Sequence, residues 1–332
     1  MVERPKKNPL SESILADSSE QGTDGVAALP TRLDRYGRAH QRALHMSNYA
    51  AERGESQLAQ KLQHCGHWLV FRHYYTVDKV RLHAADFCKK HLLCPLCAIR
   101  RGAKYLKAYM DKLAVVMGEH PGLKAYMVTV TVKDGADLGE RFAHLRKAMK
   151  AMTQARRNYL MAPNKRPHVE FAKALGGVHS VEAKRGANSG LWHPHAHMVW
   201  LCYEEPDQDK LAQEWQGWTG DSFIVDVRPF HDQDDVASGF LEVFKYALKF
   251  SELPLVDNWD AFETLSGKRL VDAFGVLRGV EVPEELTDEP LDGLPYIELF
   301  YQWLGRAGYS LSRTNTVSTV KGEPEAARGA QP

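Results

Sequence analysis

The sequence predicts an α+β fold, an antiparallel sheet with helices mainly on one face, preceded by a small cysteine-rich module. Short segments in which apolar and polar residues alternate indicate strands, and longer segments with helical periodicity lie between them. Two of the strands are joined by a short turn rich in Gly, Asn and Ser, which is typical of an antiparallel hairpin. Four of the five cysteines fall within residues 65–97, ahead of the first strand of this sheet.

The chain divides into regions of different composition. Residues 1–30 are rich in Ser, Glu, Asp and Gly without a periodic apolar pattern, which favours a flexible tail. Helical periodicity follows over residues 31–64, and a basic helix is expected at about residues 98–117. The predicted divisions are a disordered tail at 1–30, a helical and cysteine-rich zinc- and DNA-binding region at 31–117, a main domain at 118–285, a C-terminal helical extension at 286–320 and a flexible tail at 321–332.

The main domain begins with a predicted strand at about residues 125–133, where valines alternate with polar residues. A helix at about 138–160 precedes the hairpin, whose strands are expected at 177–184 and 191–201. The remaining predicted elements are a helix near 207–217, a strand at 222–228 and a long helix from 234 to 252.

The clustered cysteines suggest a zinc site. Cys94 and Cys97 form a knuckle with the spacing of zinc ligands. Cys88 and Cys65 complete four thiolates if the chain between them folds back on itself. Two other possibilities stay open, namely free cysteines and a mixed site that includes His91 or His83.

Charge is strongly segregated although the net charge is only +1. Residues 61–107 carry ten Lys or Arg against two Asp or Glu, and residues 141–185 carry eleven against two. Such blocks are typical of surfaces that bind nucleic acid, although runs of charge are most often solvated faces. Residues 252–298 carry twelve acidic residues against three basic ones. Two hypotheses for this acidic segment are a surface for a protein partner and a guard against non-specific DNA binding. The DNA-binding residues expected on the basic helix are Arg100, Arg101, Lys104 and Lys107.

The sequence shows no sign of export or membrane insertion. No apolar run approaches the length of a membrane span, and the first residues are not followed by the apolar core of a signal peptide. The five cysteines are too few and too clustered for a secreted disulfide scaffold. We therefore expect a cytoplasmic protein with no membrane partner.

Three histidines occupy alternate positions of one predicted strand, at His193, His195 and His197. Because successive side chains of a strand point to opposite faces, all three imidazoles should point to the same face. The apolar residues between and after them, such as Ala196 and Met198, form the opposite face. This pattern predicts a divalent-metal site.

The long helix near residue 245 carries three polar residues at helical spacing. Glu242 and Tyr246 are four residues apart, and Tyr246 and Lys249 are three apart, so the three side chains are expected on one helix face. Taken alone, the helix would more readily hold Tyr246 at the edge of the core, with the two charged residues in solvent. The histidine strand favours the functional interpretation.

Together these segments resemble the HUH endonucleases, and most closely the Rep proteins that initiate rolling-circle replication of small bacterial plasmids. The resemblance covers about residues 60–285. It implies an HUH/RRM-like core and identifies residues 118–285 as the catalytic domain. It rests on four segments in order, the cysteine-rich segment at 87–97, the Val/Thr strand at 127–133, His-Pro-His-Ala-His at 193–197 and Lys-Tyr-Ala-Leu-Lys at 245–249.

The resemblance implies that His195 and His197 are metal ligands, with His193 as a possible further ligand. Glu182 lies on the neighbouring strand, and if the hairpin pairs polar face with polar face it comes near the imidazoles as the third expected ligand. Two imidazoles and a carboxylate leave open positions at which a metal can hold the scissile phosphate. The expected cofactors are Mn²⁺ or Mg²⁺ at this site and a structural Zn²⁺ at the cysteines.

The resemblance also implies a chemistry. Tyr246 attacks the DNA backbone to give a 5′-phosphotyrosine and a free 3′-OH primer, with Lys249 stabilising the phenolate or the phosphate. Glu242 activates water for the terminating cleavage. The implied partners are the plasmid double-strand origin and single-stranded DNA, a host polymerase that extends the primer, and a host helicase, because the sequence has no phosphate-binding loop of an ATPase.

Three other functions compete with this interpretation. A single-strand transposase of the same superfamily would share these residues, although the cysteine-rich segment and Glu242 favour the plasmid Rep. A non-catalytic zinc-containing DNA-binding or copy-control protein would not need His195, His197 and Tyr246. A metallo-hydrolase of the His-x-His-x-Asp-His kind is disfavoured because the aspartate is absent from the row.

Overall fold

The computed structural model describes Ile14, Asp17 and residues 25–317. Most predicted elements of the main domain are present, with ends shifted by a few residues. The helices are α1 (Leu29–Glu52), α2 (Ser56–His64), α3 (Pro95–Glu119), α4 (Leu138–Met161), α5 (Gln208–Thr219), α6 (Gln233–Phe244), α7 (Tyr246–Glu252) and α8 (Leu255–Leu265). The strands are β1 (Trp68–Tyr74), β2 (Lys79–Ala85), β3 (Lys124–Thr131), β4 (Ala174–Arg185), β5 (Trp192–Cys202), β6 (Val225–Pro229), β7 (Val271–Gly275), β8 (Tyr296–Trp303) and β9 (Tyr309–Val317).

The strands of the described residues form two antiparallel sheets. The larger has the order β6-β3-β5-β4-β7, so the β4–β5 hairpin lies at its centre and short strands form its edges. The smaller has the order β2-β1-β8-β9. Among the described helices, none combines the length and the apolar character needed to cross a bilayer.

The C-terminal helical extension predicted at 286–320 is wrong, because this segment supplies strands β8 and β9. Leu299 and Tyr301 are partly buried and pack against the core. β8 pairs with β1 so that Leu299 faces Phe71, which is fully buried. Aromatic and β-branched residues favour a strand over a helix here. Residues that were assigned to separate regions, 31–117 and 286–320, therefore share one sheet.

Helices cover both faces of the larger sheet, which corrects the expectation that they lie mainly on one face. Glu182 of β4 points toward α7, where Lys249 contacts it. On the opposite face Trp200 of β5 packs against Phe171, with ring centroids 4.7 Å apart, and Arg156 of α4 lies over Phe171. A sheet buried on both sides explains why β4 and β5 are apolar at most positions.

The prediction of a disordered tail at 1–30 is wrong for the residues that the structure describes there. Ile14 is fully buried, with its Cδ1 atom packed against Gly102 of α3. Asp17 forms an ion pair with Arg100, at 3.2 Å. Helix α1 already begins at Leu29. The rest of residues 1–24, and the tail predicted at 321–332, lie outside the described residues.

The helix predicted from 234 to 252 is two helices, α6 and α7, interrupted at Lys245. Lys245 has φ −82° and ψ 3°, which departs from regular helical geometry. Phe244 and Tyr246, on either side of the interruption, are both buried. The interruption lies between Glu242 and Tyr246, whereas Tyr246 and Lys249 belong to the same helix.

Candidate active site

The register of the central hairpin brings a carboxylate opposite the histidine row. Glu182 of β4 is paired directly with His195 of β5, and Ser180 is paired with His197. Directly paired residues of neighbouring strands point to the same face of the sheet. Glu182 therefore lies among the imidazoles, as the pairing of polar faces predicted.

The ligand atoms of Glu182, His195 and His197 all lie within 4.8 Å of one another. Glu182 Oε2 is 3.4 Å from His195 Nε2 and 3.9 Å from His197 Nε2. His193, the possible further ligand, lies outside this group, because its Nδ1 atom pairs with Asp134 at 2.5 Å. The three-residue group is called the histidine cluster below.

Second contacts fix the orientation of both imidazoles. Thr129 Oγ1 of β3 lies 3.0 Å from His197 Nδ1, and the His193 carbonyl lies 3.3 Å from His195 Nδ1. The Nε2 atoms of both rings are thereby left to face Glu182. Holding one ring nitrogen so that the other can act as a ligand is the usual arrangement around protein metal sites.

The electrostatics of the histidine cluster favour a bound cation. Burial raises the pKa of Glu182, but Lys249 and the two imidazoles outweigh it and hold that pKa well below its usual range. Burial lowers the pKa of His197 to about 4, against the opposing effect of Glu182. The carboxylate is thus charged and the His197 ring neutral at pH 7, the forms that bind a metal.

The residues present fit a divalent metal. Both carboxylate oxygens of Glu182 are buried without a hydrogen bond. Two imidazole nitrogens and one carboxylate suit Mn²⁺ and later transition metals, and leave coordination positions free. Lys249 Nζ, 2.8 Å from Glu182 Oε2, supplies the positive charge at this position in the structure.

Helices α6 and α7 place two charged residues over the histidine cluster. Lys249 Nζ lies 2.7 Å from Glu242 Oε1, and Glu242 Oε1 lies 3.8 Å from His197 Nε2. Lys245 forms a second ion pair with Glu242. Burial lowers the pKa of Lys249, but Glu182 and Glu242 raise it above its usual value, so it is an ammonium at pH 7. The expected association of Glu242 and Lys249 is present.

Tyr246 does not share this face, which corrects the expectation that the phenol lies beside Glu242 and Lys249. Its ring packs edge-on against His91, with ring centroids 6.2 Å apart, and it is 6% exposed. Burial raises the pKa of Tyr246 above its usual value; Tyr105 raises it further and Arg101 lowers it. Glu242 and Lys249 stay in contact across the interruption at Lys245, whereas the Tyr246 ring lies against the cysteine-rich loop.

The four predicted cysteines form a second group. Their Sγ atoms lie within 4.8 Å of one another, with Cys65 3.5 Å from both Cys94 and Cys97, and Cys88 3.6 Å from Cys97. In a tetrahedral zinc site with bonds of about 2.3 Å the sulfurs are about 3.8 Å apart, so the group fits Zn²⁺. It is called the cysteine cluster below.

The cysteine cluster forms because the β1–β2 hairpin folds the chain back. The Gly66 amide donates to the Asp86 carbonyl at 2.7 Å, which closes the hairpin and brings Cys65 beside Cys88. His83 and His91 are not members of the cluster among the described residues. The mixed site that the sequence left open is therefore not the arrangement in the structure.

The prediction that Arg100 binds DNA is wrong. Arg100 is 1% exposed and forms ion pairs with Asp288 and Asp17. Lys107 lies 3.8 Å from Glu289, and Arg101 donates to the Pro283 carbonyl at 2.6 Å. The acidic segment thus packs along the basic helix. Lys104 is half-buried, and burial lowers its pKa, which Arg100 lowers further.

Sequence reasoning missed three residues that the structure places around these clusters. Thr129 and Asp134 orient histidines of β5, and Asp288 binds Arg100. The alternation in β3 did put Thr129 on the polar face, which is a usable signal. Asp134 and Asp288 lie in loops, where no periodicity indicates what a side chain contacts.

Comparison with known proteins covers both clusters. A family model described as "Replication protein" matches residues 79–296, more than half of the chain and all of the cluster residues except Cys65. Three curated relatives, each called "Protein rep", are similar over most of their length. No solved structure matches significantly.

The relatives are bacterial. The protein from Lactiplantibacillus plantarum is 25% identical over 256 residues, which covers 70% of this chain and 77% of that protein. The one from a Bacillus species is 26% identical over 263 residues, covering 69% and 80%. The one from Streptococcus pneumoniae serotype 2 is 24% identical over 256 residues, covering 72% and 76%.

Proposed function

The chain belongs to the family of rolling-circle plasmid replication proteins, as a replication initiator, and from this membership we propose that it starts replication by nicking DNA. The proposed reaction is a metal-dependent, site-specific transesterification by Tyr246 at the plasmid double-strand origin. The single observation that carries the proposal is the histidine cluster, a buried carboxylate between two oriented imidazoles with Lys249 beside it.

In the proposed step the Tyr246 oxygen forms a bond to phosphorus and the bond from phosphorus to the 3′ oxygen breaks. The phenol loses its proton and the departing 3′ oxygen gains one, which gives a 5′-phosphotyrosine and a 3′-hydroxyl primer. The phosphodiester energy is conserved, so the same enzyme can rejoin strands without a nucleotide triphosphate. A host polymerase would extend the primer, and a host helicase would separate the strands.

Glu182, His195 and His197 would hold the metal. A divalent cation bound there supplies positive charge against the phosphate oxygens. Lys249 contributes a second positive charge, held by Glu182 and Glu242. Fixed cations of this kind stabilise the charge that develops during phosphoryl transfer.

Tyr246 must approach the phosphate for this reaction. Its phenol lies against His91, so the proposed reaction requires the Tyr246 side chain to move away from that ring and toward the histidine cluster. His91 belongs to the loop of the cysteine cluster, and Asn258 of α8 donates to the Leu92 carbonyl of the same loop at 2.8 Å. We infer that a structural zinc in the cysteine cluster supports the position of the nucleophile helix.

Glu242 has a separate proposed role in termination. Burial raises the pKa of Glu242, but Lys249 and Lys245 outweigh it and lower that pKa, so the side chain is a carboxylate at pH 7. It is 29% exposed, which allows water to reach it. A carboxylate at this position can accept a proton from the water that attacks in the closing cleavage.

The test is covalent-adduct formation on a supercoiled plasmid that carries the origin, with Mn²⁺ present. Wild-type protein should nick the plasmid and stay attached to the 5′ end, and EDTA should abolish both events. Tyr246→Phe should form no adduct while binding the DNA normally. Tyr159→Phe is the matched control, because Tyr159 packs on His168 away from both clusters. An adduct that persists in Tyr246→Phe would refute the assignment of the nucleophile.

Failure of the wild-type protein would have a different meaning. If it binds origin DNA but makes no nick with Mn²⁺ or Mg²⁺, the proposed chemistry is wrong and a non-catalytic role in copy control is supported. Mass spectrometry of a nuclease-treated adduct identifies the modified tyrosine directly.

A further inference from the structure

A groove of about 430 Å³ lies between α3 and the edge strand β7. Its α3 wall carries Arg101, Tyr105 and Tyr109, and its other wall carries Arg269, Asp272 and Arg278. Three arginines against one carboxylate give it a positive charge. Neither the histidine cluster nor the cysteine cluster contributes a residue to this groove. Arg101 also lines a smaller cavity beside His91 and Cys97.

The aromatic wall of the groove is rigid. Tyr105 and Tyr109 are stacked with ring centroids 6.3 Å apart and planes 22° apart. Tyr105 also stacks on Phe244, at 5.3 Å, and Phe244 is 1% exposed. Arg101 lies over the Tyr105 ring at 4.7 Å. The half-buried Tyr105 is thus held in a fixed orientation by buried neighbours.

The opposite wall presents cations to solvent. The Arg269 side chain is 70% exposed, and its guanidinium lies 3.5 Å from Asp272. Arg278 is exposed, with Nε 3.4 Å from the Ala273 carbonyl. Exposed guanidinium groups opposite an aromatic wall are the combination with which proteins bind unpaired nucleotides.

The groove is close to the proposed nucleophile. Arg101 also lines the smaller cavity beside His91, and the His91 ring packs against Tyr246 with ring centroids 6.2 Å apart. Phe244, which supports Tyr105, lies two residues before Tyr246. A strand bound in the groove would therefore run toward the position of the nick.

We propose that this groove binds the single-stranded DNA next to the nick, with bases stacked along Tyr105 and backbone phosphates on Arg269 and Arg278. The inference rests on the proposed function, which supplies single-stranded DNA as the substrate. Unpaired bases expose the flat faces that an aromatic wall can stack on, whereas a duplex hides them.

The test is fluorescence anisotropy with a labelled 20-nucleotide thymidine oligomer, without added metal. The double variant Arg269→Gln/Arg278→Gln should bind about tenfold more weakly, and the slope of log affinity against log salt should fall by roughly 1.4 for two lost phosphate contacts. Arg228→Gln is the matched control. Arg228 is 74% exposed and pairs with Asp226 on β6, the opposite edge of the same sheet, so its replacement should leave affinity unchanged.

The aromatic wall has its own pair of variants. Tyr105→Phe keeps the ring and should bind like wild type, whereas Tyr105→Leu should weaken binding at least fivefold. In case Tyr105→Leu fails to fold, the wild-type protein can be photo-crosslinked to an oligomer containing 5-iododeoxyuridine. The crosslink should map to the peptide that contains Tyr105 and Tyr109, and a crosslink confined to any other peptide would overturn the proposal.

These outcomes are separate from those of the nicking assay. Equal binding by wild type and the arginine double variant, or equal competition by a 20-base-pair duplex, would overturn the groove assignment while leaving the nick intact. If the wild-type protein forms no adduct but binds the oligomer more tightly than the arginine double variant does, the proposed chemistry is refuted and the groove assignment stands.

Discussion

The cysteine cluster and the histidine cluster are both groups of metal-ligating atoms, but they differ in what surrounds them. Cys65, Cys94 and Cys97 are at most 1% exposed, and Cys65 Sγ lies 3.5 Å from the sulfurs of both Cys94 and Cys97. The histidine cluster has three protein ligands, and the charged groups beside it, Lys249 and Glu242, are about 30% exposed. Closed sites of four ligands are structural, and open sites of three are the ones that handle substrate. The difference suggests a division of labour between the two sites.

The largest effect is expected from opening the closed cluster. Cys94→Ser should lose one equivalent of zinc and lower the melting temperature by more than 10 °C, because binding of a structural zinc contributes about 10 kcal/mol to folding in small zinc domains. Calorimetry and metal analysis of protein purified without added zinc measure both. Cys202→Ala, in a buried thiol outside the cluster, should keep its zinc. Wild-type protein that is well folded but contains no zinc would contradict the assignment of the cysteine cluster as a structural zinc site.

The open cluster should behave in the opposite way. His195→Ala and His197→Ala should each lower nicking by at least about a hundredfold, as expected for loss of a metal ligand, with a much smaller change in melting temperature. His193→Ala is the matched control, because His193 binds Asp134 rather than Glu182, and it should retain nicking within a few-fold. Nicking rates on origin plasmid with Mn²⁺ decide the matter. Equal losses of nicking rate in all three variants would indicate that His193 is also a metal ligand, and would contradict a metal site of three residues.

Helix α3, which begins at the cysteine cluster, also buries a charged side chain, Arg100. Its replacement measures how much this buried charge contributes to stability. Arg100→Met removes a buried cation that pairs with Asp288 and Asp17, and it leaves Arg32 as a partner of both carboxylates. The free energy of unfolding should therefore fall by about 3 kcal/mol, the lower end of the range for breaking a buried ion pair. Urea denaturation measures it. Arg38→Met removes an exposed ion pair with Asp34 and should change stability by less than about 1 kcal/mol. If Arg100→Met instead weakens DNA binding at unchanged stability, the sequence-based prediction was correct after all.

The smallest effect, confined to one step, is expected at Glu242. Glu242→Gln keeps the shape of the side chain but loses the charge that accepts a proton, so it should still nick and form the adduct but fail to release finished circles. Nicking assays, together with the yield of monomeric single-stranded circles in cells, separate the two steps. Equal loss in both assays would place Glu242 with the opening reaction, as a partner of Lys249.

The sequence was informative wherever a regular period linked residues in space. A two-residue period and a short turn placed Glu182 opposite His195, and a two-residue gap between cysteines indicated the zinc knuckle. The same reasoning did not predict that Tyr246 packs against His91, because this contact joins segments that are far apart in the sequence. It also failed at Arg100, because a buried arginine and an exposed one look alike until the distant Asp288 is known.

The pairing of β1 with β8 has a consequence for synthesis. β1 lies between β2 and β8, so the first hairpin of the chain has an open edge until residues 296–303 have been translated. Tyr309 of β9 also donates to the Gly66 carbonyl, next to Cys65. A ribosome that stops early would release a chain whose small sheet lacks two strands. The fold thus makes completion of the amino-terminal sheet depend on synthesis of the carboxyl-terminal strands, and a chain that ends before β8 would leave one edge of β1 unpaired.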